Sequence, residues 1–297
     1  MALIRYRNIE FRDERKERIV QMNTILAEYQ ARVSVRQLYY RLVAAGLIAN
    51  EQAEYLKIQS LITDARYAGL IDWDAIEDRN REPYRPRDWR GGAEVLADAA
   101  EGFRLDRWRD QHFYVEIWVE KAALAGVLAP IADDYHCTLM VNRGYSSASA
   151  MKESADRIRY ASRGRDDGTR ARPVILYIGD HDPSGEDMVR DVKDRLLEFC
   201  CPDWLDVRKL ALTMAQVKEY DPPPNPAKLS DSRAAKYIEK HGDSSWEVDA
   251  LPPQALNALV RKTLNSYIDK QRMDAIIAEE IVIKAKIKKA ALNFNAK

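Results

Sequence analysis

Three acidic residues stand where a sheet would present them to a ligand. Glu120 closes the apolar run Val115, Ile117, Val119 and leads into a helical stretch. Asp180 and Asp182 follow the run Val174 to Gly179 and pass through Pro183 and Gly185 into another helix. In a parallel α/β sheet ligands bind beyond the carboxyl ends of the strands, so both motifs project into one crevice. Carboxylates gathered there repel one another unless a cation neutralises them, and an all-oxygen set calls for Mg2+ or Mn2+. Asp-x-Asp after a strand is also the composition of a helix cap and turn. It is the combination with Glu120, in this chain order, that makes a metal centre the stronger expectation.

A second candidate lies upstream. Ser34 sits where an N-cap belongs, and Val35, Leu38, Tyr39 and Leu42 recur at i, i+3, i+4 and i+7 before Gly46 ends the helix. Tyr39 falls on the apolar stripe and is expected in the core. Tyr40 instead shares a face with Arg36, one turn earlier.

The elements that must position these groups follow from periodicity. Residues 9–30 predict an amphipathic N-terminal helix, and residues 53–68 a second helix after the capped one, ending at Gly69. Helix, turn, longer helix and then the extended segment Leu70 to Trp73 is the order of a winged helix-turn-helix. By that analogy the helix from Lys57 to Tyr67 faces double-stranded DNA with Lys57, Gln59, Ser60, Thr63 and Arg66, and Arg79 to Arg90 is wing plus linker. From residue 113 short apolar runs (113–119, 138–141, 174–178, 207–212) alternate with helical stretches (121–133, 147–162, 186–199), which implies an α/β fold with a mainly parallel sheet covered on both faces. The prolines between Asp221 and Pro226 force irregular chain, and residues 253–294 read as one or two helices. Two domains are expected, residues 1–110 and 111–297.

Composition narrows the classes. The 297 residues carry 47 basic and 47 acidic side chains, so the whole-molecule field favours no polyanion. Residues 253–297 nevertheless hold nine Lys/Arg against four Asp/Glu, and residues 111–252 hold 19 against 24. No apolar run approaches the length of a membrane span. The N-terminus enters a charged stretch without a secretory pattern, so a cytoplasmic protein is expected. Cys137, Cys200 and Cys201 have neither disulfide nor metal spacing. His112, His136, His181 and His241 fit no ligand spacing and read as structural or surface residues.

Val119-Glu120-Lys121 followed by Asp180-His-Asp182-Pro183-Ser-Gly185 resembles the Toprim signature, in the version carried by the A subunit of type IIB topoisomerases (topoisomerase VI) and the related meiotic double-strand-break protein. Ser34-Val-Arg-Gln-Leu-Tyr-Tyr40 resembles the nucleophile motif of that family. Leu210-Ala-Leu-Thr213, the proline loop after it and Trp246-Glu-Val-Asp-Ala-Leu251 extend the likeness from about residue 30 to the C-terminus.

The resemblance implies a winged-helix domain followed by a Toprim domain, and Mg2+-dependent DNA cleavage. Tyr40 would attack a phosphodiester to give a 5′-phosphotyrosyl link and a free 3′-hydroxyl. A phenol titrates near ~10, so it needs a neighbouring cation or base, and Arg36 would stabilise the phenolate or clamp the phosphate. Glu120, Asp180 and Asp182 would hold the metal, and Glu120 would return a proton to the 3′-oxygen. It further implies a homodimer in which Tyr40 of one protomer works with the metal site of the other. Where the family has a Gly-x-Pro-Asp element, this chain has Arg143-Gly144-Tyr145-Ser146-Ser147, and Arg143 and Gly144 could still approach a phosphate. With no Walker-type glycine loop, strand passage would need a separate ATPase subunit. Two other functions are compatible with the same residues: a hydrolytic Toprim nuclease in which Tyr40 is structural, and a winged-helix DNA-binding regulator on an inactive Toprim scaffold.

Overall fold

The structure is a computed structural model that describes residues 3–29, 32–76, 86–142, 146–163, 169–227, 231 and 233–294. Three helices open the chain: α1 (Asp13–Leu26), α2 (Val35–Ala44) and α3 (Gln52–Tyr67). Ser34 begins α2 with a full capping box, its hydroxyl accepting from the Gln37 amide while the Gln37 side chain accepts from the Ser34 amide. The apolar stripes of the three helices meet in one core containing Met22, Leu38, Leu42, Ile62 and Ile71. Tyr39 joins it at 4% exposure, as its position on the stripe requires. Gly46, at φ 68°, makes the left-handed exit from α2 that a side chain would resist.

The stretch expected to run extended from Leu70 to Trp73 does so only in part. Asp72 accepts from the Asp74 amide and starts a 3-10 turn over Trp73–Ala75, because a short acidic side chain offers the backbone a local partner. A parallel bridge between Val33 and Ile76 then closes the N-terminal group. Residues 79–85 of the expected wing lie outside the described residues.

The second half is an α/β layer structure. Strands β1 (Phe113–Val119), β2 (Thr138–Val141), β3 (Arg172–Ile178) and β4 (Asp206–Ala211) form a four-stranded, all-parallel sheet in the order β2-β1-β3-β4. Period-two alternation divides the side chains between two cores. Ile117, Val119, Leu176 and Ile178 pack on one face with residues of helices α5 (Ala125–Tyr135) and α10 (Pro253–Tyr267). Trp118, Ile175 and Tyr177 pack on the other with α6 (Ala148–Ala161) and α7 (Pro183–Glu198). Glu116 also enters that second face, fully buried, and is held by Arg157 at 2.8 and 2.9 Å, the Trp118 indole at 2.8 Å and the Tyr114 hydroxyl at 2.7 Å. Its partners satisfy the charge, so Glu116 is a structural ion pair.

Several elements that are short or bury few large side chains were not expected from the sequence. Helix α4 (Gly92–Gly102) packs along the last helix, α11 (Lys270–Phe294), so the residues before position 110 associate with the C-terminal end of the chain. Glu280 of α11 reinforces that association by accepting from the Leu105 amide and Arg107. Helices α8 (Met214–Tyr220) and α9 (Ala234–His241) flank a two-residue antiparallel pair, β5 (Asn225–Pro226) with β6 (Ser244–Ser245). Among the described residues no helix is long and apolar enough to cross a membrane.

Candidate active site at the carboxyl edge of the sheet

Parallel register decides which side chains share the edge. Val119 of β1 pairs with Ile178 of β3, so Glu120 and the Gly179-Asp180 step leave the sheet side by side. The Glu120 amide donates to the Ile178 carbonyl at 2.9 Å, and the Asp180 amide donates to Glu120 Oε2 at 3.3 Å. Gly179 is required by this approach, since a β-carbon there would lie 2.6 Å from Glu120 Oε2 and 2.8 Å from the Tyr177 ring. Gly185 is equally constrained: a β-carbon would collide with the Asp180 carbonyl.

Each of the three expected ligands has a protein contact on one oxygen. Asp180 Oδ1 accepts from the Val248 amide and pairs with Lys121, both at 2.9 Å. Asp182 is the N-cap of α7, its Oδ1 accepting from the Gly185 amide at 2.6 Å and Ser184 at 2.9 Å. The cap reading of Asp-x-Asp is therefore realised by Asp182, which leaves its other oxygen for further use. Glu120 Oε1, Asp180 Oδ2 and Asp182 Oδ2 accept no hydrogen bond from the described residues. Burial, reinforced by the charges of Asp180 and Asp182, pushes the Glu120 carboxyl up to about 7. Burial likewise raises Asp180, with the Lys121 ammonium opposing it. A Glu120 carboxyl raised by burial and by two neighbouring carboxylates is the electrostatic signature of a site short of positive charge, and the free oxygens there suit a hard divalent cation.

A different acidic trio is drawn together more tightly. Asp180, Glu247 and Asp249 each offer an oxygen within 4.8 Å of the others, whereas Glu120, Asp180 and Asp182 do not form such a group. Lys121 lies among that trio, donating to Asp249 at 2.9 Å and to Glu247. Burial alone would lower the Lys121 ammonium, yet Asp249 and Asp180 outweigh it and hold the amine charged. Glu247 and Asp249 belong to the Trp246 to Leu251 segment but carried no assigned role in the sequence. Their tie to Asp180 spans 67 and 69 residues, and only the family likeness of that segment hinted at it.

Helix α2 brings the tyrosine to the same place. Arg36 donates to the Tyr40 hydroxyl at 3.3 Å and to Glu247 at 3.4 Å, and its Nε stands 3.9 Å from Asp249 Oδ2. Lys121 Nζ lies 5.7 Å from the centre of the Tyr40 ring. Tyr40 thus sits beside the acidic edge of its own chain, whereas the family likeness implied the edge of a partner. Burial raises the Tyr40 phenol above its ordinary value, opposed by Arg36.

The other expected contacts are separate from this edge. Lys57 is exposed and pairs with Glu54 at 2.7 Å. Arg66 folds back on its own chain, donating to the Trp73 carbonyl at 2.8 Å and stacking on the Trp73 ring at 4.3 Å. Arg143 and Gly144 lie outside the described residues. Compared with known protein families, curated proteins and solved structures, the chain matches none of them.

Proposed function

We propose that this chain cuts DNA by tyrosine transesterification in the manner of a topoisomerase VI A subunit, with the N-terminal helices acting as a winged-helix domain and the sheet as a Toprim domain. One observation carries the reading: Tyr40, with Arg36 bonded to its hydroxyl, stands against Glu247, Asp249 and Lys121, the group that Asp180 joins through Lys121. A positioned nucleophile, a fixed cation beside it and carboxylates with free oxygens are the parts phosphodiester chemistry requires.

In the reaction the Tyr40 oxygen bonds to phosphorus, its proton passes to solvent, and the bond from phosphorus to the 3′-oxygen breaks. That oxygen takes up a proton from solvent, since a Glu120 carboxylate that holds the metal carries none. The 5′ end stays on the tyrosine. Arg36 orients the phenol and presents a planar fork to the phosphate. Glu120, Asp180 and Asp182 would hold Mg2+ or Mn2+, which when bound would neutralise charge developing on the phosphate oxygens. Lys121 acts by positioning, keeping Asp180 turned toward Glu247 and Asp249.

Denaturing the protein in the presence of DNA and Mg2+ is expected to leave a covalent protein-DNA adduct that Tyr40→Phe abolishes. A second reading, hydrolytic cleavage with Tyr40 as a structural residue, is favoured by the raised phenol and its bond to Arg36. Cleavage that survives Tyr40→Phe would select it, and DNA binding without any Mg2+-dependent cleavage would select the regulator. Partners under the leading reading are double-stranded DNA, a second copy of the chain and, for strand passage, a separate ATPase subunit.

A further inference from the structure

The middle residue of the Asp180-His-Asp182 motif points away from the acidic edge into a different cluster. His181 is 1% exposed, and its Nδ1 lies 2.7 Å from the Tyr237 hydroxyl. That hydroxyl is also 2.9 Å from the His181 carbonyl and 3.0 Å from the Ser244 carbonyl. A phenol has one proton, and two carbonyl oxygens compete for it, so the imidazole must be the donor at Nδ1. Its Nε2 is then an unprotonated lone pair. Nε2 faces Glu186 Oε1 at 3.8 Å, and the His241 ring stands perpendicular to the His181 ring with centroids 4.7 Å apart.

We propose that His181, Glu186 and His241 form a binding site for a transition-metal ion of the Zn2+ class, separate from the carboxylate edge and made of softer donors. One ligand atom from each already lies within 4.8 Å of the others. Two imidazoles and one carboxylate are a donor set that suits zinc and leaves a fourth position open to water, whereas Mg2+ prefers oxygen alone. Tyr237 supplies the partner on the far ring nitrogen that such sites use to fix tautomer and orientation. Ligand atoms in a tetrahedral zinc site are about 3.3 Å apart, so the group must contract on binding. His241 is the residue able to move, being the last of α9 and followed by Gly242 at φ 81°. Lys209 bonds Glu186 Oε1 at 2.6 Å and the Asp180 carbonyl at 2.8 Å, occupying one carboxylate lone pair and leaving the rest.

The ion would tie the segment from β5 to β6, which carries α9, onto the loop that bears Asp180 and Asp182. Reciprocal backbone bonds between His181 and Trp246, both 2.9 Å, already dock that segment there. The proposal does not depend on DNA cleavage. Its test is Zn2+ binding to the metal-stripped full chain, by competition with a chromophoric chelator in excess Mg2+, with the visible spectrum of the Co2+ form as a second readout. One equivalent is expected, weakened about 10- to 100-fold in His241→Ala and in Glu186→Gln, and unchanged in Glu120→Gln. His241 and Glu186 are only partly buried, and far-UV circular dichroism checks that both variants fold. Equal binding by wild type and His241→Ala, or complete displacement of Zn2+ by Mg2+, would overturn it.

Discussion

Two acidic groups share one edge of the sheet and differ in what meets their charge. Asp180, Glu247 and Asp249 surround the Lys121 ammonium, with Arg36 reaching in from α2. Glu120 and Asp182 receive, from the described residues, only backbone amides and a serine hydroxyl. The first group is neutralised by the chain itself and serves to fix Asp180 and to dock α2 against the sheet. The second is left with a carboxyl raised to about 7. Acidic clusters are therefore not equivalent as cation sites: the one with the tighter geometry already contains its cation, and the looser one is the one short of charge.

The largest expected effect breaks the first group. Lys121→Met leaves two buried carboxylates, Asp180 and Asp249, and the half-buried Glu247 without their ammonium, and is expected to destabilise the fold by about 3–5 kcal/mol. The denaturant midpoint measures this, and adding Asp249→Asn should recover part of the loss. An unchanged midpoint would show that the three carboxylates do not need Lys121.

Glu120→Gln probes the second group with the opposite sign. The Glu120 carboxyl is raised in the folded chain, so folding is undisturbed below about 4.5 and progressively opposed as pH climbs toward about 7. In metal-free protein the substitution should raise stability by about 1–3 kcal/mol at pH 8 and leave it unchanged at pH 4. Urea titrations at both values check it, and a loss of stability at pH 8 would contradict the assignment.

A cation at this edge must displace the Glu120 proton. Mg2+ affinity is therefore expected to fall about tenfold per pH unit below about 7 and to level off above it. Calorimetry across that range, repeated with Glu120→Gln to remove the slope, separates this from general charge effects.

The smallest effect sharpens the two roles of Asp182. Asp182→Ala removes the α7 cap and should cost about 1 kcal/mol. Asp182→Asn retains a capping oxygen and should keep stability while still weakening Mg2+ binding. Identical affinity in wild type and Asp182→Asn would leave Asp182 as a cap alone.

Much of this arrangement was local and therefore readable. Short apolar runs announced β1 and β3, the Ser34 cap announced α2, and the stripe through Val35, Tyr39 and Leu42 separated the buried Tyr39 from Tyr40. The ends of two adjacent parallel strands must lie side by side, which is why Glu120 and Asp180 could be expected together. Helices α4 and α9 were not anticipated because α9 is only 8 residues long and α4 buries only Ala100, so neither presents a long run of large apolar residues.

What the amino-acid order determined by itself was the four strands of the sheet and the longer helices around them, the capped tyrosine helix and the acidic residues at the strand ends, because apolar runs and capping act within a few residues. Tertiary structure alone decided that Lys121 would be enclosed by Asp180, Glu247 and Asp249, that Arg36 and Tyr40 would dock against that group, and that His181 would meet His241. Those contacts join residues 59 to more than 200 positions apart. Charge pairing and desolvation depend on distance in space, and nothing in the spacing along the chain encodes it.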